Sequence, residues 1–455
     1  MAGGTKKVSA ASARSHTRKS KQTTSLNLSP RGTKKVSAAS ARSHTRKSKQ
    51  TTSLNLSPRG TKKVSAASAR SHTRKSKQTT SLNLSPRGTK KVSAASARSH
   101  TRKSKQTTSL NLSPIMIVQV GVALLAGLLG WAYVAIKPPP PKVCGTPGGP
   151  PVTSPRVQLS DGRHLAYKEK GVPKEEAKYK IIVIHGFDSS KDLDLAVSQE
   201  FIEELGIYFL LFDRAGYGES DPHPKRSVKG EALDIQELAD KLDIGSKFYL
   251  IGFSMGAYPV WSCLKYIPHR LSGASLVVPF VHYWWPRFPA DISKKGIKTL
   301  PARDRWTFRV AHYAPWLFNW WMTQKWFPNL SVMTGNMAVF CDPDLEMLKI
   351  LSSTPTVGQE KIQQQGIYES LYRDILVGYS KWDFGPLDIA NPFPNNEGSI
   401  HIWQGREDRI IPSLMNRYIA EKLPWIRYHE VPDAGHLMMF NSTVCEPILR
   451  ELFLG

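Results

Sequence analysis

Ser254 stands in Gly252-Phe253-Ser254-Met255-Gly256, a setting in which a serine can act as a nucleophile. A serine hydroxyl attacks poorly until a base takes its proton, and it must protrude where base and substrate both reach it. Glycines two residues to either side allow a tight strand-to-helix turn, and the new helix aims free N–H groups at a developing oxyanion. Chance places the five-residue pattern in roughly one chain in seven of this length, so its surroundings must carry the weight. They do: Phe248-Tyr249-Leu250-Ile251 reads as a buried strand before the turn, and Ala257-Tyr258-Pro259-Val260-Trp261 opens a helix after it.

An acid and a histidine follow in the order such a turn requires, each just past a strand. Gly405-Arg406-Glu407-Asp408 succeeds the strand at 400–403, and Asp433-Ala434-Gly435-His436 succeeds the strand at 426–431. Asp408 is the expected acid, with the adjacent Glu407 and Asp433 as alternatives. His436 is the expected base. His185, in His185-Gly186-Phe187, is expected to be structural, and Asp213 and Arg214 to brace loops beside the site.

The elements that must position these residues alternate strand and helix from Val157 onward. Val157 to Gly171 reads as two short strands joined at Asp161-Gly162. Lys180–Ile184, Ile207–Phe212, Phe248–Ile251 and Ala274–Val278 are apolar and β-branched or aromatic, as strands covered on both faces should be. Helical spacing is expected at 193–205, 228–243, from the Ser254 turn through Tyr266, at 413–422 and at the C-terminus. Such alternation implies an α/β fold with a largely parallel sheet. The rhythm breaks at about 281–396, an insertion expected to form a helical cap. Trp284, Trp285, Trp306, Trp316, Trp320, Trp321 and Trp326 crowd this segment. Aromatic density of that kind needs a covering surface. Packing of cap on core is the expected one, with a substrate wall or a membrane interface as alternatives.

The motifs His185-Gly186-Phe187, Asp213-Arg214-x-Gly216-x-Gly218, Gly252-x-Ser254-x-Gly256, Gly405-x-x-Asp408 and Gly435-His436 occur in the order found in the α/β-hydrolase superfamily, which residues 157–455 resemble. The pattern as a whole, with its proline-rich spacer and Trp-rich cap, is similar to uncharacterised membrane-anchored plant members with a serine nucleophile. The resemblance implies Ser254 as nucleophile, His436 as base and then acid, and Asp408 as the group orienting the imidazole. It also implies an oxyanion hole from the backbone N–H groups of Phe187 and Met255. A serine where epoxide hydrolases of this superfamily carry aspartate disfavours epoxide chemistry. An ester or similar acyl substrate is expected, with neither metal nor organic cofactor. The rival reading is a non-catalytic small-molecule receptor on the same fold.

Residues 1–114 are of a different kind. A 28-residue unit beginning at Thr5 recurs letter for letter from Thr33, Thr61 and Thr89, the last copy lacking its final Arg-Gly. The segment holds 27 of the 63 Lys and Arg and no Asp or Glu, so the whole net charge of +27 lies in it. The rest of the chain is balanced, which argues against nucleic acid as a partner of the folded part. The tail offers too few apolar positions to stack and is expected to be disordered, with anionic lipid as a partner for its charge. Residues 115–136 carry Gln119 as the one strongly polar residue and are long enough to cross a membrane. Lys137 to Pro155 is rich in proline and glycine and reads as a linker, after which the domain, 156–455, begins. The basic tail predicts a cytoplasmic N-terminus and a lumenal or extracellular domain. An organelle-targeting role for the acid-free tail is the alternative. Asn329 and Asn441 lie in glycosylation sequons that suit the first reading. Cys144, Cys263, Cys341 and Cys445 are too dispersed for a zinc or redox motif.

Overall fold

Strand β5 (Phe248–Phe253) sends Phe248 and Leu250 to one face of a sheet and Ile251 and Phe253 to the other, each into its own apolar cluster. The same period of two divides β3 (Tyr179–Ile184) and β4 (Ile207–Phe212) between those clusters. A strand apolar at every position is therefore stable only in the middle of three layers. Each Leu, Ile or Phe so buried contributes about 1.5–3 kcal/mol.

A computed structural model describes residues 113–327, 329–353 and 358–455. The tail expected to be disordered lies outside the described residues except for Ser113 and Pro114. Among the described residues the sheet has eight strands, in the order β1-β2-β4-β3-β5-β6-β7-β8. β1 (Arg156–Gln158) and β2 (His164–Gly171) form the expected hairpin, and β2 runs antiparallel to β4. The remaining pairings are parallel, through β6 (Leu271–Val277), β7 (Ile400–Gly405) and β8 (Ile426–Val431).

Helix α1 (Pro114–Ile136) precedes the sheet and buries none of its residues. It is long and apolar enough to cross a membrane. The chain after it does not hang free: Lys142 N–H donates to the Gln365 carbonyl, Cys144 is buried, and Thr153 and Ser154 bind the Glu219 carboxylate. Helices α2 (Gln199–Leu205) and α3 (Val228–Lys241) follow β3 and β4. The expected helix at 193–205 begins only at Gln199, because the Ser198 hydroxyl accepts from Phe201 N–H and caps it there. Leu193 is buried all the same, from a loop.

Helix α4 (Ala257–Tyr266) follows β5 directly. Between β6 and β7 the described residues include the helices α5 (Ala290–Thr299), α6 (Ala302–Tyr313), α7 (Phe318–Thr323), α8 (Asp342–Ser353), α9 (Gln359–Ile362) and α10 (Arg373–Gly378). This is the expected cap. Helices α11 (Leu414–Lys422) and α12 (Ser442–Leu454) complete the chain. The four cysteines are all buried and unpaired thiols.

Candidate active site

The strand order reverses around β3 and β5, and the loops leaving their C-terminal ends are neighbours because Ile184 pairs with Gly252. Gly186 lies against the Ser254 turn: a Cβ there would come within 3.1 Å of the Phe253 carbonyl oxygen and 3.3 Å of Ser254 Cβ. Side chains on Gly252 or Gly256 would collide with backbone carbonyls, those of Gly256 and of Ile184 and His185 respectively. The flanking glycines of the motif thus serve close backbone approach. Ser254 itself has φ +51°, a left-handed conformation that side-chain-bearing residues rarely adopt. Such strain is of order 1–3 kcal/mol and is held by the surroundings, including Phe280 N–H, which donates to the Ser254 carbonyl at 3.0 Å.

The three residues expected from separate strands come together. His436 Nε2 is 2.9 Å from Ser254 Oγ, and His436 Nδ1 is 2.8 Å from Asp408 Oδ2. The other carboxylate oxygen of Asp408 accepts from Ile410 N–H at 2.9 Å and Ile411 N–H at 2.8 Å, so the backbone orients the acid independently of the imidazole. Glu407 and Asp433 are exposed and point the choice to Asp408. Burial disfavours a charged His436, yet the Asp408 charge and hydrogen bond, with Asp344 adding, outweigh it and raise the imidazole above its ordinary 6.5.

The sequence model of the alpha/beta hydrolase family matches residues 181–445, more than half of the chain. The chain belongs to this family. Solved structures similar to it include a thermophilic esterase from Thermogutta terrifontis, 20% identical over 66% of this chain and 97% of that one, with a TM-score of 0.43. An esterase from Exiguobacterium antarcticum is 16% identical over 66% and 98%, TM-score 0.45. An alpha/beta hydrolase fold protein from Chitinophaga pinensis is 17% identical over 67% and 98%, TM-score 0.44. No curated protein matches the chain.

In this α/β-hydrolase, Phe187, Met255, Ser254 and His436 all line one cavity of about 250 Å³. That is a little below the roughly 300–1,000 Å³ usual for small-ligand sites. Its other walls are largely apolar and come mostly from the cap, among them Leu300, Phe308, Leu330, Met333, Val339 and Ile375. None of the seven cap tryptophans noted above lines it. Trp285 is buried in the core cluster and Trp284 and Trp321 pack on it, whereas Trp306, Trp316 and Trp326 are exposed.

His185 is structural as expected. Its Nε2 accepts from Arg214 N–H at 3.0 Å, and burial, with the Arg214 charge, pushes it well below 6.5 and keeps it neutral. Asp213 accepts from Lys191 and from Glu219 N–H, bracing the loop after β4. Arg214 donates to the carbonyls of His185 at 3.1 Å and Gly186 at 3.2 Å, so it fixes the loop that carries Phe187.

Two further carboxylates act on the site from the cap, and no sequence pattern singled them out. Asp374, on α10, pairs with Arg214 and Arg226 and accepts from Tyr217 and Tyr258. Asp344, on α8, accepts from Leu437 N–H at 2.7 Å and from the Cys341 thiol, holding the residue after His436. Gly435 is required beneath it, because a Cβ would strike Cys341 and Asp344. An Asp in a helical insertion reads as a solvated charge unless its partner, here some 90 to 160 residues away, is known.

Proposed function

We propose that the chain is a serine hydrolase that cleaves esters, or similar acyl bonds, of apolar and lipid-like substrates. The observation that carries this reading is the unbroken line of hydrogen bonds from Asp408 through His436 to Ser254, ending at an apolar cavity. In this scheme His436 Nε2 takes the Ser254 proton as Oγ attacks the carbonyl carbon, and the Asp408 carboxylate stabilises the imidazolium that results. The oxyanion is received by the N–H groups of Phe187 and Met255. His436 then passes its proton to the leaving alkoxide, which departs as an alcohol and leaves an acyl-serine. Water attacks the acyl carbon, His436 again takes the proton, and the returned proton frees Ser254 with release of the acid. None of these steps calls on a metal or an organic cofactor.

The cap walls, largely apolar and with Asp304 as the one acidic or basic residue among those described, favour hydrocarbon acyl groups over anionic ones, since an unpaired charge there would be costly to desolvate. The apolar helix Pro114–Ile136 supports attachment to a membrane, where such substrates reside. The test is turnover by the full-length protein of aryl esters from acetyl to palmitoyl, beside a Ser254→Ala control. Activity that vanishes in the control supports the reading. A folded wild-type chain that hydrolyses none of the series sinks it.

A further inference from the structure

Helix α6 has two faces with different company. Asp304 and Phe308, with Pro301 just before the helix, line the cavity. On the outer face Trp306 is 55% and Tyr313 66% exposed; Trp316, before α7, is 65% and Trp326, after it, 84% exposed. Four large aromatic side chains lie exposed within some twenty residues of chain, a density that calls for a covering surface. Their electrostatic setting is one-sided. Arg303, Arg305, Arg309 and Lys325 belong to the same stretch, and its one acid, Asp304, faces the cavity, buried, where it accepts from Ser331 N–H. The Arg309 guanidinium lies over the Trp306 ring, 5.4 Å from its centroid.

Helix α1 supplies the second observation. Its C-terminal end abuts α7, between Trp316 and Trp326, and the Asn319 side chain donates to the Lys137 carbonyl at 3.4 Å. Trp131 and Tyr133, near that end, are themselves exposed. Tryptophan and tyrosine concentrate at the headgroup level of a bilayer, where an apolar ring and a polar N–H or O–H are both accommodated. If α1 spans the bilayer, its end at Lys137 lies at that level, and so does the cap segment joined to it.

We propose that the outer face of the cap, comprising Trp306, Tyr313, Trp316 and Trp326, docks on the bilayer surface beside α1. The aromatic rings enter the interface, while Arg305, Arg309 and Lys325 meet headgroup phosphates, which guanidinium groups bind in bidentate fashion. Helix α6 then separates the bilayer from the acyl cavity, lipid on one face and the site on the other. The proposal rests on the membrane-anchor reading of α1 and does not depend on the chemistry at Ser254.

The test uses the full chain reconstituted in phosphatidylcholine vesicles whose acyl chains are brominated to quench nearby tryptophan. Trp131→Phe removes the anchor's own reporter. Substantial quenching is expected to remain in that variant and to disappear when Trp306, Trp316 and Trp326 are also changed to Phe, with turnover of a soluble aryl ester kept within about twofold. Adding phosphatidylglycerol should deepen the quenching, and Arg305→Glu with Arg309→Glu should cancel that increment. If Trp131→Phe alone abolishes quenching, the cap does not dock and the proposal is overturned. If the wild-type chain is not quenched at all, the anchor reading falls and the docking falls with it. A chain that is quenched as expected but hydrolyses no ester keeps the docking and overturns only the hydrolase reading.

Discussion

Both carboxylate oxygens of Asp374 accept from the Arg214 guanidinium, at 2.5 and 2.6 Å, and that same guanidinium grips the carbonyls of His185 and Gly186. The cap is thereby tied to the loop bearing Phe187 through one side chain. Asp374 also pairs with Arg226, whose second partner is the buried Glu231, so two carboxylates answer two buried guanidinium groups. Burial alone would favour the neutral acid, but the two arginines outweigh it and hold Asp374 far below the usual carboxylate range.

Asp374→Ala is expected to destabilise the fold by about 3–5 kcal/mol, because it leaves Arg214 buried without its carboxylate and Arg226 with Glu231 alone. Urea denaturation checks this. The depressed pKa fixes the sign with pH: the contribution is complete above the ordinary carboxylate range and is lost only in strong acid. A midpoint unchanged by the substitution would show that the pair does not hold the cap.

The pH profile of kcat/KM should have its acid limb above pH 6.5, since His436 is raised and must be neutral to take the Ser254 proton. Asp408→Asn removes the charge that raises it and should lower kcat by about 10⁴-fold while moving the limb downward. The same shift makes His436 a stabilising group at low pH, its contribution present below pH 6.5 and lost as pH rises through the folded value. A limb below 6.5 in the wild type would contradict the assignment.

Ser254→Gly should be more stable than Ser254→Ala by about 1 kcal/mol, because glycine adopts the φ of +51° without a steric cost and alanine does not. Thermal unfolding of the two inactive variants provides the comparison. Equal stabilities would mean that the turn carries no strain.

Val332 lines the cavity and is 38% exposed, so a larger side chain can enter there without overfilling the core. Val332→Trp is expected to reduce kcat/KM for long-chain esters at least tenfold, within the ~1–3 kcal/mol that pocket contacts discriminate, while acetyl esters change by less than about threefold. A uniform loss across chain lengths would place the acyl group elsewhere.

How far the sequence foretold this arrangement differs from residue to residue. Ser254, Asp408 and His436 were legible because each ends a strand whose apolar run announces it, and parallel neighbours bring those ends together. Helix α2 is shorter than its apolar spacing suggests, since buried Leu193 keeps the spacing of a helix while lying in a loop before the Ser198 cap. The tryptophans of the cap were legible as a group needing cover, but not individually. Trp285 is buried and Trp326 exposed from similar sequence, because burial is decided by the partner element and not by the residue. Asp374 and Asp344 were invisible for the related reason that a carboxylate acquires its meaning from Arg214 or from Leu437 N–H, which lie far along the chain.

The assignment of Ser254 as nucleophile is tested most directly by labelling the full-length protein with a fluorophosphonate and mapping the labelled peptides. A single adduct is expected on the peptide that contains Ser254, absent from Ser254→Ala and slowed in His436→Ala. Equal labelling of Ser254→Ala, an adduct on another serine, or no adduct on the folded wild-type chain would contradict it.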